Sequence, residues 1–352
     1  MFFDFMKKVK NRKKILFLSR LYYPHIGGVE KHVAEVSKIL VKKGFSVTVI
    51  CEQYDKKLKT KEQINKVEVL RIPISLSDKN KKFEIWKWVL RNRKFIKSFD
   101  IVHIHDVFFW IMPILFYLDR KKIFITFHGY ESYPLMTSSK IQKKFAAKYC
   151  KGSIAVGDFI NKWYGIASNA VMYGGVNRPK KSSAKPKIQN SAVFFGRLDN
   201  QTGIKEYYNA YLRLKRTYEN FSFQVVGEGE YAPKLKGLFI SPFKSDISKY
   251  IQDSRFIFVS RYLSMLEAMV EKRLVFAVYS DPIKRDYLIN SPFKNHLEIC
   301  SSGDEIYEKV KYYLEHPREE RKLIESGYKF AKKLTWESVV RDYINLWEET
   351  KR

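Results

Sequence analysis

Cysteine, acidic residues and unbroken apolar sequence are all scarce in this 352-residue chain. The three cysteines, Cys51, Cys150 and Cys300, stand far apart without a Cys-x-x-Cys pair. That spacing excludes a disulfide framework and a thiolate zinc site, and it fits a reducing cytoplasm. The longest apolar run, Val107 to Leu118, is interrupted by Pro113 and is far shorter than the roughly 20 residues of a membrane-spanning helix; a buried helix or strand-to-helix junction is predicted there. The first residues carry their charges after a short apolar stretch, unlike a cleavable signal peptide. Against 66 Lys plus Arg there are 37 Asp plus Glu, a net charge of +29, which predicts attraction to polyanions or to an anionic membrane surface. Nucleic acid is set aside as a partner, because the basic residues are dispersed and no zinc-ligand spacing, basic region with heptads or RNP-like motif accompanies them.

What is present is enough to bury a core: 45% hydrophobic and 29% charged residues over a length that suits two domains. Apolar runs at Ile15–Ser19, Ser46–Cys51, Val67–Ile72, Ile101–His105, Ile123–Phe127, Gly152–Val156 and Asn169–Tyr173 alternate with helical patterns such as Glu30–Lys43. This is the rhythm of a parallel sheet covered by helices. A polar, proline-containing stretch without periodicity follows, and the rhythm resumes from Ser191 to about Ile299. The expected division is a first domain over 13–178, a linker over 179–190, a second domain over 191–334 and a final helix over 335–352.

Three junctions carry candidate chemistry. Phe256–Ser260 runs into Leu263-Ser264-Met265-Leu266-Glu267, a strand feeding a helix whose free N–H groups suit phosphate. Ser264 and Glu267 also have the spacing of a capping box, which would make Glu267 a cap and nothing more. Val193-Phe194-Phe195-Gly196-Arg197-Leu198 ends another strand with a guanidinium that can hold a diphosphate bidentately. Gly27-Gly28-Val29-Glu30 follows the first strand, where absence of Cβ allows close approach of backbone to a ligand. His128 ends a first-domain strand and would sit on its carboxyl edge. His103 and His105 should share one strand face with Asp106 at its end; with no third ligand nearby they read as core and rim rather than metal site.

Together these stretches resemble the retaining, nucleotide-sugar-dependent glycosyltransferases of the GT-B fold, in particular the family 4 group, over about Lys14 to Trp347. The resemblance implies an α/β fold of two Rossmann-like domains facing a central cleft, with a C-terminal helix crossing back to the first domain. It implies a donor site of Gly27, Gly28, Arg197, Ser264, Met265 and Glu267, with Glu267 on the ribose hydroxyls, the amides of Ser264 and Met265 on phosphate, and His128 at the transferred sugar; His128 and Arg197 are the candidate catalytic residues. Two family features are missing. Thr202 stands where a diphosphate lysine is expected, with Lys205 one turn further as a substitute, and Val259 stands where the first glutamate of the paired Glu-x7-Glu motif belongs.

The expected function is metal-independent, hexosyltransferase-type transfer from a nucleotide diphosphate sugar, with no cofactor, to a glycan or lipid-linked acceptor in surface polysaccharide or glycoconjugate synthesis. The basic, aromatic segment containing Phe83, Trp86, Leu90, Lys87, Arg91, Arg93, Lys94 and Lys97, with the aromatic and basic start Phe2 to Lys14, suggests a cytoplasmic protein peripheral on the inner membrane face. The rival reading is a catalytically weakened GT-B subunit that binds a ligand or partner without turnover.

Overall fold

The computed structural model describes residues 12–75, 78–177 and 186–349. Residues 1–11 of the aromatic, basic start, residue 178 at the end of the expected first domain and residues 179–185 of the expected linker lie outside the described residues. The chain forms two compact units, Met1–Met172 with Trp336–Arg352, and Tyr173–Thr335. The division falls between Met172 and Tyr173 because Tyr173 stacks edge-on against Tyr262, ring centroids 5.2 Å apart, and Val176 pairs with Thr335, so these residues belong to the second unit.

The first unit is built on strands β1 Lys14–Ser19, β2 Ser46–Glu52, β3 Lys61–Ile64, β4 Val67–Ile72, β5 Ile101–His105, β6 Ile123–Phe127, β7 Gly152–Val156 and β8 Ala170–Met172. They lie in the order β3-β4-β2-β1-β5-β6-β7-β8, parallel throughout except for β3 against β4. β1, β5 and β6 are almost wholly buried, as strands covered on both faces must be, which is why their sequences read as apolar runs rather than alternations. Helix α1, Gly28–Lys42, buries Val33, Val36, Ile39 and Leu40 on one face. Helices α2, Asp78–Arg91, and α3, Thr137–Tyr149, flank a 3-10 helix, Phe108–Tyr117.

That 3-10 helix corrects the expectation of a buried segment between Val107 and Leu118. Pro113 lacks the N–H for an α ladder, and the tighter turn buries Trp110, Ile111 and Ile114 but leaves Met112, Phe116 and Tyr117 exposed. Among the described residues no helix is long and apolar enough to cross a membrane.

The second unit has strands β9 Ser191–Phe195, β10 Ser222–Val226, β11 Ile240–Ser241, β12 Phe256–Phe258, β13 Leu274–Val278 and β14 Glu298–Cys300, all parallel, in the order β11-β10-β9-β12-β13-β14. In sequence rank this is 3-2-1-4-5-6, the doubly wound dinucleotide-binding order. Helices α4 Ile204–Thr217, α5 Tyr262–Val270 and α6 Pro282–Ile289 follow the carboxyl ends of β9, β12 and β13. The last helix, α7 Trp336–Glu349, belongs to the first unit. Trp336, Tyr343 and Trp347 are buried there, and Trp336 and Tyr343 pack on His32 of α1.

Candidate functional site

Each sheet has one point where strand order reverses, and ligands of open α/β sheets bind outside the carboxyl ends of the strands at such points. In the first unit it lies between β1 and β5; in the second, between β9 and β12. The residues singled out from sequence, Lys205 excepted, lie at these two places.

In the first unit β1 leads to Gly27, the N-cap of α1, and Gly28, its first residue. A Cβ on Gly27 would meet the Glu30 carboxylate, which pairs with His25 Nδ1 at 3.1 Å, whereas nothing lies within 4 Å of a Cβ on Gly28. Gly28→Ala is therefore free of steric penalty in the fold. Its melting temperature should stay within about 2 °C of the parent, while activity should fall at least roughly tenfold because the methyl group intrudes where a ligand would approach the helix end. A melt and an initial-rate assay on the same preparation check both halves.

Beside it stands a cluster of four histidines. His32, His103 and His105 are buried, and His128, at the end of β6, is half-buried. The Trp347 indole N–H donates to His103 Nδ1 at 3.0 Å. Burial holds His103 neutral, so its remaining hydrogen is on Nε2, which donates to Thr126 Oγ1 at 2.7 Å. Thr126 Oγ1 lies 2.9 Å from Tyr343 Oη, and that hydroxyl 2.9 Å from His32 Nε2. A continuous hydrogen-bond chain thus ties α7 to α1 through the core. His103 and His105 do share a face, but both are core residues; the edge is formed by Asp106 and His128.

His105 Nδ1 is 2.9 Å from His128 Nε2, and His105 Nε2 is buried without a partner. An orphaned N–H is the rarer and costlier defect, so we assign the hydrogen to His105 Nδ1, which leaves His128 with its hydrogen on Nδ1 as a donor to offer. Asp106, at φ +62°, accepts the His128 backbone N–H at 3.1 Å. Desolvation, then the Lys143 charge, push His128 down to about 3, so it works as a neutral hydrogen-bonding group. Lys143 itself is held by Gly129 O at 2.6 Å and Glu131 at 3.2 Å. Among the described residues no three His, Cys, Asp or Glu side chains are placed to share a metal ion.

In the second unit β9 is followed directly by Gly196, φ +150°, and Arg197. This turn is braced by Gly227-Glu228-Gly229: Gly196 N–H donates to Val226 O, and Leu198 N–H to Glu228 O. A Cβ on Gly227 would fall 1.9 Å from Gly196 O, so only glycine lets the two loops meet. The exposed Arg197 pairs through Nε with Asp199 at 3.3 Å.

Across the switch point, α5 begins at Tyr262 with Arg261 as N-cap and no side-chain cap. This overturns the capping-box reading, since Ser264 is the third helical residue and Glu267 lies beyond the first turn. The expected Met265 amide is corrected too, because it donates to Arg261 O at 3.0 Å, and Tyr262 N–H donates to Tyr287 Oη at 2.8 Å. Of the three first-turn amides without an intrahelical acceptor, Tyr262's is thus taken by Tyr287, which leaves those of Leu263 and Ser264. Glu267, half-buried, follows on the same helix.

Lys205 does not join them: it is exposed on α4 and lines a cavity of about 200 Å³ with Tyr208, Tyr231, Lys234 and Leu235. Thr202 and Val259, at the two departures from the family pattern, are buried. Sequence reasoning missed Arg261, Lys284 and His32. A cation directly after the second switch-point strand was the available signal for Arg261.

Residues 26–177 match the profile of Glycosyltransferase Family 4. An uncharacterized glycosyltransferase of Methanocaldococcus jannaschii is 22% identical over 96% of this chain and 98% of its own length. Sucrose-phosphate synthase from Thermosynechococcus elongatus superposes with a TM-score of 0.75 at 13% identity, covering 96% of this chain and 99% of that one. WaaG, a glycosyltransferase involved in lipopolysaccharide biosynthesis, gives 0.69 at 14% identity, covering 95% and 99%. Anabaena HepE in complex with UDP and glucose gives 0.66 at 13% identity, covering 95% and 98%.

Proposed function

We propose that this chain, a glycosyltransferase of GT-B fold with a family 4 first unit, moves a hexosyl group from a nucleotide diphosphate sugar to a glycan or lipid-linked acceptor with retention of configuration. The observation that carries this is the β9/β12 switch point, where Arg197 and the first-turn amides of Leu263 and Ser264 flank one carboxyl edge. Cleaving a glycosyl phosphate leaves negative charge on a nucleoside diphosphate, and fixed cations and amides at that point stabilise it without help from a metal. Glu267 would accept both ribose hydroxyls. The neutral His128 would donate from Nδ1 to a sugar oxygen, and the departing phosphate would take the acceptor proton.

Release of nucleoside diphosphate from UDP-, GDP- and ADP-sugars, with a membrane extract as acceptor source, tests this. Turnover with one donor supports the reading. Silence toward every donor, with nucleotide still bound, would instead identify a binding-only subunit.

A surface role for the acceptor side rests on the first unit. Phe83, Phe116 and Ile141 are 64%, 102% and 62% exposed, and Met112, Tyr117 and Phe145 are exposed beside them. They lie on α2, the 3-10 helix and α3, which are joined by the Trp86 Nε1 bond to Phe109 O at 2.7 Å and by the Phe108–Phe145 ring pair at 5.8 Å. Residues 78–151 hold 16 Lys plus Arg against 6 Asp plus Glu. Exposed apolar side chains on a segment with this excess of cations fit an anionic bilayer surface at the cytoplasmic face, consistent with surface-glycoconjugate synthesis. The protein should pellet with phosphatidylglycerol vesicles at low salt, stay in solution with phosphatidylcholine, and lose roughly tenfold in vesicle affinity on Phe116→Asp. Equal pelleting of parent and variant would remove the assignment.

A further inference from the structure

We propose that Arg261 is the second cation of the diphosphate site, taking the part that the family pattern gives to a lysine where this chain has Thr202; the inference rests on the donor reading above. Thr202 cannot fill it, being buried, with Oγ1 donating to Asp199 O at 2.8 Å. Lys205 faces a different cavity.

Arg197 and Arg261 stand on opposite sides of the switch point yet hold one turn between them. Arg261 Nη2 donates to Gln201 Oε1 at 3.3 Å, Gln201 N–H donates to Asp199 Oδ1 at 2.9 Å, and Asp199 Oδ2 pairs with Arg197 Nε at 3.3 Å. The Asp199–Gln201 turn is thereby a spacer that sets two guanidinium groups beside the same strand ends. A pair of planar forks suits the several oxygens of a diphosphate better than a guanidinium and a point charge.

The loop bearing Arg261 is fixed from below. Lys284, 1% exposed, donates from Nζ to Ser260 O and, at 2.9 Å, to Ser260 Oγ, and lies 4.2 Å from the Tyr287 ring centre. Tyr262 and Tyr287 stack at 3.9 Å. Lys284 is a positioning residue: it pins the main chain immediately before Arg261. Burial first, then the Arg261 charge, hold its ammonium well below the ordinary lysine range, as expected where cations crowd and an anion is wanted. The β12–α5 connection thus carries a guanidinium at the N-cap of α5, beside the ends of β9 and β12.

Calorimetric titration with UDP, GDP and ADP and their monophosphates, on the full chain, reads the assignment directly. For whichever nucleotide binds, Arg261→Met should weaken the diphosphate roughly tenfold to a hundredfold and the monophosphate less than about threefold, and Arg261→Lys should recover part of the loss. Gln201→Ala, which keeps the guanidinium but cuts its tether, should fall between parent and Arg261→Met. Equal losses for diphosphate and monophosphate, or no loss in a variant whose calorimetric melt matches the parent, would reduce Arg261 to a tether for Gln201 and overturn the proposal while leaving the donor site standing. A parent protein that binds none of the six nucleotides would overturn the donor reading, and this assignment with it.

Discussion

Replacing Arg197 by alanine is expected to lower kcat/KM for the nucleotide sugar by two to three orders of magnitude and to leave the fold intact. The size follows from removing one preorganised group aimed at developing charge, which typically costs about 10²- to 10³-fold. The fold should be spared because the side chain is 58% exposed and its ion pair with Asp199 is a surface pair, of a kind that contributes less than ~1 kcal/mol. Arg197→Lys should recover only part of the rate, since the charge is kept but the two-pronged geometry is lost. Steady-state kinetics beside a thermal melt decide it. A variant within threefold of the parent would place the diphosphate elsewhere.

The second large effect is on stability. His32, His103 and His105 are at most 2% exposed, and desolvation is the leading cause that holds each well below the ordinary histidine range. In the unfolded chain these rings take up protons near pH 6.5. The unfolded state therefore binds more protons below that pH, and the stability that neutral burial provides, fully present above about 6.5, is lost as pH falls. At up to about 1.4 kcal/mol per pH unit for each ring, the three together remove on the order of 5 kcal/mol between pH 6.5 and 5. All six tryptophans lie within the first unit, so tryptophan fluorescence follows that unit alone. Urea midpoints measured this way should drop steeply from pH 7 to pH 5, and a flat profile would mean that the rings are not held neutral. Catalysis should not inherit this titration in the range where the protein is folded, because His128, at about 3, stays neutral throughout.

Much of the fold was legible because parallel strands buried on both faces must be continuously apolar, and β1, β5, β6 and β9 are. β3 was invisible: Lys-Glu-Gln-Ile is a four-residue edge strand with one apolar residue, stabilised by pairing with β4 rather than by its own pattern. The capping-box reading of Ser264 and Glu267 failed for a different reason. A cap is defined by where the helix starts, and that start was set by Tyr262, whose ring stacks between Tyr287 and Phe293, a tertiary contact that local spacing does not encode. Arg197, Gly28 and His128 were findable because each follows a readable strand. Arg261 was overlooked because the short connection read as a deletion, and Lys284 because its partner Ser260 is 24 positions away.

The central claim is that the β9/β12 switch point holds a nucleoside diphosphate between Arg197 and the start of α5. The most direct test is an experimental structure of the protein with the tightest-binding nucleoside diphosphate. The account predicts phosphate oxygens within hydrogen-bond distance of the Arg197 guanidinium and of the Leu263 or Ser264 amide, and ribose hydroxyls on Glu267. A nucleotide seated anywhere else, with Arg197 still paired to Asp199 and those amides on water, would contradict it.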